Sequence, residues 1–201
     1  VRENNGATLP PVYQNSAFEQ ESAKDLEEIF DNKKIGYCYT RVGNPTVSAF
    51  ENRITKIEGG IASIACSSGM AALMNAILNI LRSGDEIISS ASLYGGTIDL
   101  FRDLEAFGIH TKYVHNNNWE EIEAAFSDDT KLIFAETIGN PCLDVTDVRK
   151  MAELAHSHNV PLIIDNTTAT PYLIKTLELG ADIVVNSSSK YINGSSNSIS
   201  G

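Results

Sequence analysis

Two patterns in this chain of 201 residues predict an α/β fold, a mainly parallel sheet covered by helices on both faces. Short apolar runs without polar alternation recur from Ile61 onward, the signature of strands buried on both sides. Between them lie segments with helical spacing of apolar residues, the connections that parallel strands require. A third observation sets off the beginning of the chain: from Gly6 to Gly43 there is little periodicity. The predicted organisation is an N-terminal arm over residues 1–45 and an α/β domain over residues 46–201.

The arm carries Pro10-Pro11 and several turn formers, so it reads as mostly extended, interrupted by a short helix over Ser22 to Phe30. Tyr13, Phe18, Tyr37 and Tyr39 make it too aromatic for a disordered tail. A segment that cannot bury itself is expected to pack on another surface, such as a second subunit. From Thr46 a helix is predicted, with Ser48-Ala49-Phe50-Glu51 as a capping box and Val47, Phe50, Ile54 and Ile57 at helical spacing. After Gly59-Gly60 strand and helix alternate. Ile61 to Cys66 precedes a helix over Met70 to Leu81, and Glu86 to Ser90 precedes one over Thr97 to Phe107. His110 to His115 leads to a helix over Trp119 to Phe126, opened by Asn118-Trp119-Glu120-Glu121. Leu132 to Ala135 leads to Val148 to His158, Val160 to Asp165 to Tyr172 to Leu179, and Asp182 to Val185 to a segment containing Lys190.

Composition narrows the function classes. A hydrophobic share of 42% with 20% charged residues reads as soluble and globular, and no stretch is apolar enough to span a bilayer. Val1-Arg2-Glu3-Asn4-Asn5 has no apolar signal core, so nothing points to export. Cys38, Cys66 and Cys142 are odd in number and form no Cys-x-x-Cys pair, which argues against a disulfide framework or zinc knuckle and for a reducing cytoplasm. A net charge of −11 disfavours a nucleic-acid partner. Metal binding is not expected either: His156 and His158 are two apart on a helix, and His110 and His115 flank a strand without ligand-spaced company.

Ligands of parallel sheets bind beyond the carboxyl ends of the strands, and the unusual residues of this chain fall there. Ser67-Ser68-Gly69-Met70 opens a helix with small residues whose free amides can point at an anion. With neither a Walker sequence nor Gly-x-Gly-x-x-Gly, it does not favour a nucleoside triphosphate or dinucleotide. Tyr94 in Leu93-Tyr94-Gly95-Gly96 could stack on a flat heteroaromatic ring or pass a proton; its bland role is packing over the loop. Asp165 leaves a buried strand, a costly place for a carboxylate unless it meets a cation or donors; a helix cap is the bland alternative. Tyr39-Thr40-Arg41 could bring a guanidinium to a phosphate, or be a surface turn. Lys190, in Asn186-Ser187-Ser188-Ser189-Lys190-Tyr191, follows a buried strand and is flanked by hydroxyls. Alone it would be a solvated charge. With Asp165 and the small-residue helix start, it meets the needs of pyridoxal phosphate (PLP): an imine-forming amine, a carboxylate for the pyridine nitrogen and donors for the phosphate.

These segments resemble the Cys/Met-metabolism family of fold-type I PLP enzymes over nearly the whole chain. The resemblance also rests on Pro11-Val12-Tyr13-Gln14, Asn44-Pro45-Thr46, Asn140-Pro141, Asp165-Asn166-Thr167 and Ala169-Thr170-Pro171. Phe134 to Pro141 looks most like the O-acetylhomoserine sulfhydrylase (homocysteine synthase) branch, and Gly96 stands where methionine γ-lyases often carry cysteine. The resemblance implies that Lys190 holds the cofactor, that Asp165 pairs with its ring nitrogen and that Tyr94 stacks on the ring. It implies that Gly69, Met70, Ser187 and Ser189 bind the phosphate, that Tyr39 and Arg41 reach it from the neighbouring subunit, and that Asn140 lies near the cofactor oxygen and the substrate carboxylate. The implied assembly is a homotetramer of catalytic dimers acting on a small amino acid and a sulfur donor. The implied reaction is γ-replacement: O-acetyl-L-homoserine and sulfide or a thiol give L-homocysteine and acetate, with Lys190 and Tyr94 as the catalytic pair. Cystathionine γ-synthase, cystathionine γ-lyase and methionine γ-lyase are the alternatives within the class. A noncatalytic binding protein of the same fold is the alternative outside it, and retention of Lys190, Asp165 and Tyr94 argues against that. Two positions depart from the family pattern: Thr168 stands where Phe is common, and Asn193 to Asn197 lacks the usual histidine. The family also continues past the point matching Gly201 with a C-terminal domain that supplies the substrate-carboxylate arginine, so a longer protein is expected.

Overall fold

The computed structural model describes residues 8–201. The first seven residues of the predicted arm, among them Val1 to Asn5, read above for a signal core, lie outside the described residues. The chain divides into two units: one holds the residues up to Lys56 with Ile61–Ser63, the other Ile57–Gly60 with Ile64–Gly201.

In the first unit, α1 (Ala23–Phe30) is capped by Ser22, whose hydroxyl accepts the Asp25 N–H, and it has no buried residue. Around it the chain is extended: Ala17 and Tyr39 form an isolated antiparallel bridge, and the rings of Phe18 and Tyr37 lie 5.7 Å apart. Asn44 ties this stretch together, donating to the Tyr13 carbonyl and the Thr40 hydroxyl and accepting from the Thr46 N–H at 2.8 Å. That last bond moves the start of α2 (Pro45–Glu58) one turn ahead of the predicted capping box. Proline is favoured at the first helical position because its missing N–H would have no partner there, and the Ser48 N–H is already spent on the Asn44 carbonyl.

The second unit is the predicted parallel sheet. β1 (Glu86–Ser90), β2 (His110–Val114), β3 (Thr130–Glu136), β4 (Leu162–Asp165) and β5 (Ile183–Val185) are all parallel, in the order β2-β1-β3-β4-β5. Burial on both faces explains the continuous apolar runs. On β3, Leu132 and Phe134 join Leu73 and Ile77 of α3 (Gly69–Ile80) and Phe101 of α4 (Gly95–Leu104), with Phe101 edge-on to Phe134 at 5.3 Å. Ile133 and Ala135 turn to the other face, against Ile122 of α5 (Trp119–Ala125) and Met151 and Ala155 of α6 (Val148–Ser157). Phe101 is fully buried, so its replacement by Ala would cost about 3–5 kcal/mol.

Two predicted elements are corrected. Ile61 to Cys66 is not a strand of this sheet: Ile61 and Ile64 are exposed, and the pairing found for the run is the two hydrogen bonds that Cys66 exchanges with Gly201. An apolar run becomes a strand only where a neighbour supplies a ladder. The predicted helix over Tyr172 to Leu179 is broken into α7 (Thr170–Leu173) and a 3-10 turn at Leu177–Leu179. The buried amide of Asn166 takes the Ile174 carbonyl at 2.9 Å, and Ile174 is extended. The remaining strands and helices fall close to their predicted limits, with the end of the predicted Thr97 to Phe107 helix tightening into a 3-10 turn.

Strand order reverses between β1 and β3, because the chain leaves β1 toward β2 and returns on the opposite side. Such a switch point opens a crevice at the carboxyl ends of the strands.

Candidate functional site

A cleft of ≈640 Å³ opens at that place, within the usual range for small-molecule sites. Eight of the sequence-predicted residues line it: Lys190, Asp165, Tyr94, Gly69, Met70, Ser187, Ser189 and Asn140. Tyr39 and Arg41 do not; they belong to the first unit, where the Arg41 guanidinium lies 5.5 Å over the ring of Tyr39.

Each residue is positioned by the end of an element. Lys190 sits on a turn after β5, its backbone N–H bonded to the Ser187 carbonyl and its own carbonyl accepting from Gly194. Among the described residues its ammonium has no hydrogen-bond or ion-pair partner, which leaves the amine free for a ligand. Asp165 ends β4, and its Oδ1 accepts the Thr167 N–H at 2.8 Å. The Thr167 hydroxyl in turn accepts the Ser187 N–H at 2.7 Å, tying the aspartate turn to the lysine segment. Burial pushes the Asp165 carboxyl up, partly offset by its hydrogen bonds to Thr167. Among the described residues no cation pairs with it.

The helix start at Ser68-Gly69-Met70 is closely fitted. Ser68 caps α3 by accepting the Ala71 N–H, and a Cβ on Gly69 would lie 2.6 Å from the Ser187 Cβ and 2.8 Å from its Cα. Only glycine lets the N-terminus of α3 approach the Ser187 backbone, so amides and hydroxyls converge on one corner of the cleft. The Ser189 hydroxyl is already engaged, accepting from the Ser200 N–H at 2.9 Å and donating to its carbonyl at 3.1 Å.

Tyr94 stands at the start of α4, half exposed to the cleft, and Asn140 lies in the loop after β3. Between them is a residue to which sequence reasoning assigned no role. Glu136, the last residue of β3, is only 6% exposed, and its Oε1 accepts the Tyr94 N–H at 2.7 Å. The Asn140 N–H lies near enough to favour its charged form as well. Burial, with the charge of neighbouring Asp165, pushes its carboxyl up to about 7 against the pull of those two N–H groups. The signal was the same as for Asp165: a carboxylate at the end of an apolar strand.

The four histidines each face a carboxylate, His110 with Glu105, His115 with Glu121, His156 with Asp182 and His158 with Glu123. Among the described residues no cluster of His, Cys, Asp and Glu could hold a metal ion, the three cysteines are free, and no helix is long and apolar enough to cross a membrane.

A model of the family described as Cys/Met metabolism PLP-dependent enzyme matches residues 1–201. An O-acetyl-L-homoserine sulfhydrylase of Corynebacterium glutamicum is 47% identical over 193 residues, 95% of this chain and 44% of that protein. An L-methionine γ-lyase of Fusobacterium nucleatum is 41% identical over 198 residues, 98% of this chain and 50% of the relative. Among solved structures, a Campylobacter jejuni protein assigned as an O-acetylhomoserine (thiol)-lyase, crystallised with N′-pyridoxyl-lysine-5′-monophosphate, superposes with a TM-score of 0.94 at 33% identity, covering 98% of this chain and 49% of that one. The chain thus spans about half the length of the relatives it matches.

Proposed function

This chain belongs to the Cys/Met metabolism PLP-dependent enzymes, and on that premise we propose that it is the cofactor-holding part of an enzyme performing γ-replacement on O-acetyl-L-homoserine. Sulfide or a thiol displaces acetate, and with sulfide the product is L-homocysteine. The observation that carries this reading is the pairing of a partnerless lysine amine with a half-buried, cation-free Asp165 in one cleft.

The residues present fit pyridoxal phosphate. Its protonated ring nitrogen is the cation that Asp165 lacks, and the corner that Gly69 keeps open beside Ser187 suits a phosphate. In this reading Lys190 holds the cofactor, Gly69, Met70, Ser187 and Ser189 receive the phosphate, Tyr94 stacks on the ring and Asn140 lies beside its oxygen. Tyr39 and Arg41 serve the site of a neighbouring subunit, and α1, which buries none of its residues, suits an arm that packs elsewhere. A homotetramer of catalytic dimers fits that exchange, and a cytoplasmic setting fits the free cysteines. When bound, the cofactor supplies the electron sink for the pair left on the substrate Cα. The chain's own groups move the protons: the Lys190 amine takes and returns the Cα proton, and the Tyr94 phenol assists departure of the γ-acetate.

The sulfhydrylase relative at 47% identity favours replacement, and the 41% relative keeps methionine γ-elimination as the second reading. Steady-state comparison of O-acetylhomoserine with sulfide, O-succinylhomoserine, cystathionine and methionine on the full-length protein decides between them. The first pair is expected to have the highest kcat/KM, and faster turnover of methionine would move the assignment to the lyase. Borohydride reduction should fix the cofactor on Lys190, and an adduct on any other lysine would overturn the site.

A further inference from the structure

Glu136 is buried, titratable and without a part in the chemistry above, yet it lies beside three of the groups that chemistry uses. It ends β3 in register with Asp165 on β4, so the two carboxylates are neighbours across the sheet. Its Oε1 takes the Tyr94 N–H at 2.7 Å, and the Asn140 N–H also points to it. Tyr94 starts α4 without a side-chain cap, so its backbone donor is committed to a residue 42 positions away. The two loops also touch directly: a Cβ on Gly139 would lie 2.6 Å from the Ser92 carbonyl oxygen and 2.4 Å from its hydroxyl. The loops after β1 and β3 are therefore joined across the switch point at two places, one of them the Glu136 carboxyl.

We propose that Glu136 is the positioning residue of the cleft, fixing Tyr94 and Asn140 relative to Asp165 by accepting both backbone N–H groups. This deepens the assignment of Tyr94 and Asn140 made above and rests on it. A carboxyl presents two separate oxygens at the end of a side chain, so one residue can accept from both loops.

The test uses the full-length holoenzyme and the variants Glu136→Gln and Glu136→Ala. Amide hydrogen exchange at Tyr94 and Asn140 is expected to speed up about tenfold or more in Glu136→Ala and less in Glu136→Gln, which keeps one acceptor oxygen; Ile88 and Ile133 should be unchanged. Turnover should fall about 30-fold in Glu136→Ala, but less than about threefold when the same change is made in a Tyr94→Phe background, because the two residues act as one unit. Unchanged exchange at both amides, or equal losses in both backgrounds, overturns the proposal. Should Glu136→Ala not fold, Glu136→Gln decides by the same two readings. The exchange measurement does not depend on the chemistry: if borohydride fails to label Lys190 the site assignment falls, while protection of the two amides still judges Glu136.

Discussion

Removing the cofactor should make the stability of this protein fall as pH rises from 5 to 8, and Glu136 contributes a share that can be isolated by mutation. Its carboxyl titrates at about 7 in the folded protein against an ordinary 4.5. Between those values the unfolded chain has lost the proton and the folded chain still holds it. The folded state then binds more protons, and stability declines with pH: the contribution is full below 4.5 and gone once pH has passed 7. A displacement of that size corresponds to about 3 kcal/mol, and at 6% exposure little of it is lost to solvent screening. Against a typical total of 5–15 kcal/mol this exceeds the error of a denaturant extrapolation. Urea unfolding of the apoprotein at pH 5 and pH 8 is the assay, run in parallel on Glu136→Gln, which cannot titrate. The drop between the two pH values should be about 2.5 kcal/mol smaller in the variant, since part of the contribution is already lost at pH 5. Equal drops would mean that Glu136 is already ionised in the folded apoprotein, and the account of its burial beside Asp165 would be wrong.

Asp165→Asn removes the charge while nearly keeping the shape, and loss of a charge-assisted contact in such a site costs about 2–4 kcal/mol of transition-state stabilisation. Exchange of the substrate Cα proton with deuterated solvent should slow roughly 30- to 1,000-fold, and a wild-type rate would reduce Asp165 to a helix cap. Mixing inactive Arg41→Ala with inactive Lys190→Ala subunits should restore part of the activity, since one hybrid site receives both intact residues. Proven hybrid dimers without activity would return the arm to its own subunit's site.

Much of the fold was legible because burial on both faces of a parallel sheet leaves an unmistakable pattern. Ile87-Ile88, Leu132 to Ala135 and Leu162 to Ile164 are apolar at every position, since consecutive side chains enter opposite cores. The cleft residues followed from the rule that places ligands at the carboxyl ends of such strands, which needs only strand limits and polar residues just past them. What escaped depends on partners far along the chain. Ile61 to Cys66 has the composition of a strand, but pairing is a property of two segments, and here Cys66 meets Gly201. The predicted Tyr172 to Leu179 helix has acceptable spacing, but the amide of Asn166 competes for the Ile174 carbonyl. Ser189 reads as a free hydroxyl until Ser200 folds onto it.

Glu136 shows why sites are harder to read than folds. A strand-end carboxylate costs stability wherever it is buried, so its presence marks a demand placed on the chain by something other than packing. Asp165 and Glu136 make that demand side by side, on paired positions of β3 and β4, and burial pushes both carboxyls up. Neither is relieved by a cation among the described residues. Two adjacent carboxyls held toward the neutral form are a poor arrangement for a protein alone and a good one for a protein awaiting positive charge. A protonated ring nitrogen at Asp165 would pull that carboxyl down, and the bond to Tyr94 would then hold Glu136 against a neighbour whose charge is already answered. Cofactor affinity and pH-dependent stability should therefore be two expressions of the same pair, with the cofactor flattening the pH dependence that its removal exposes.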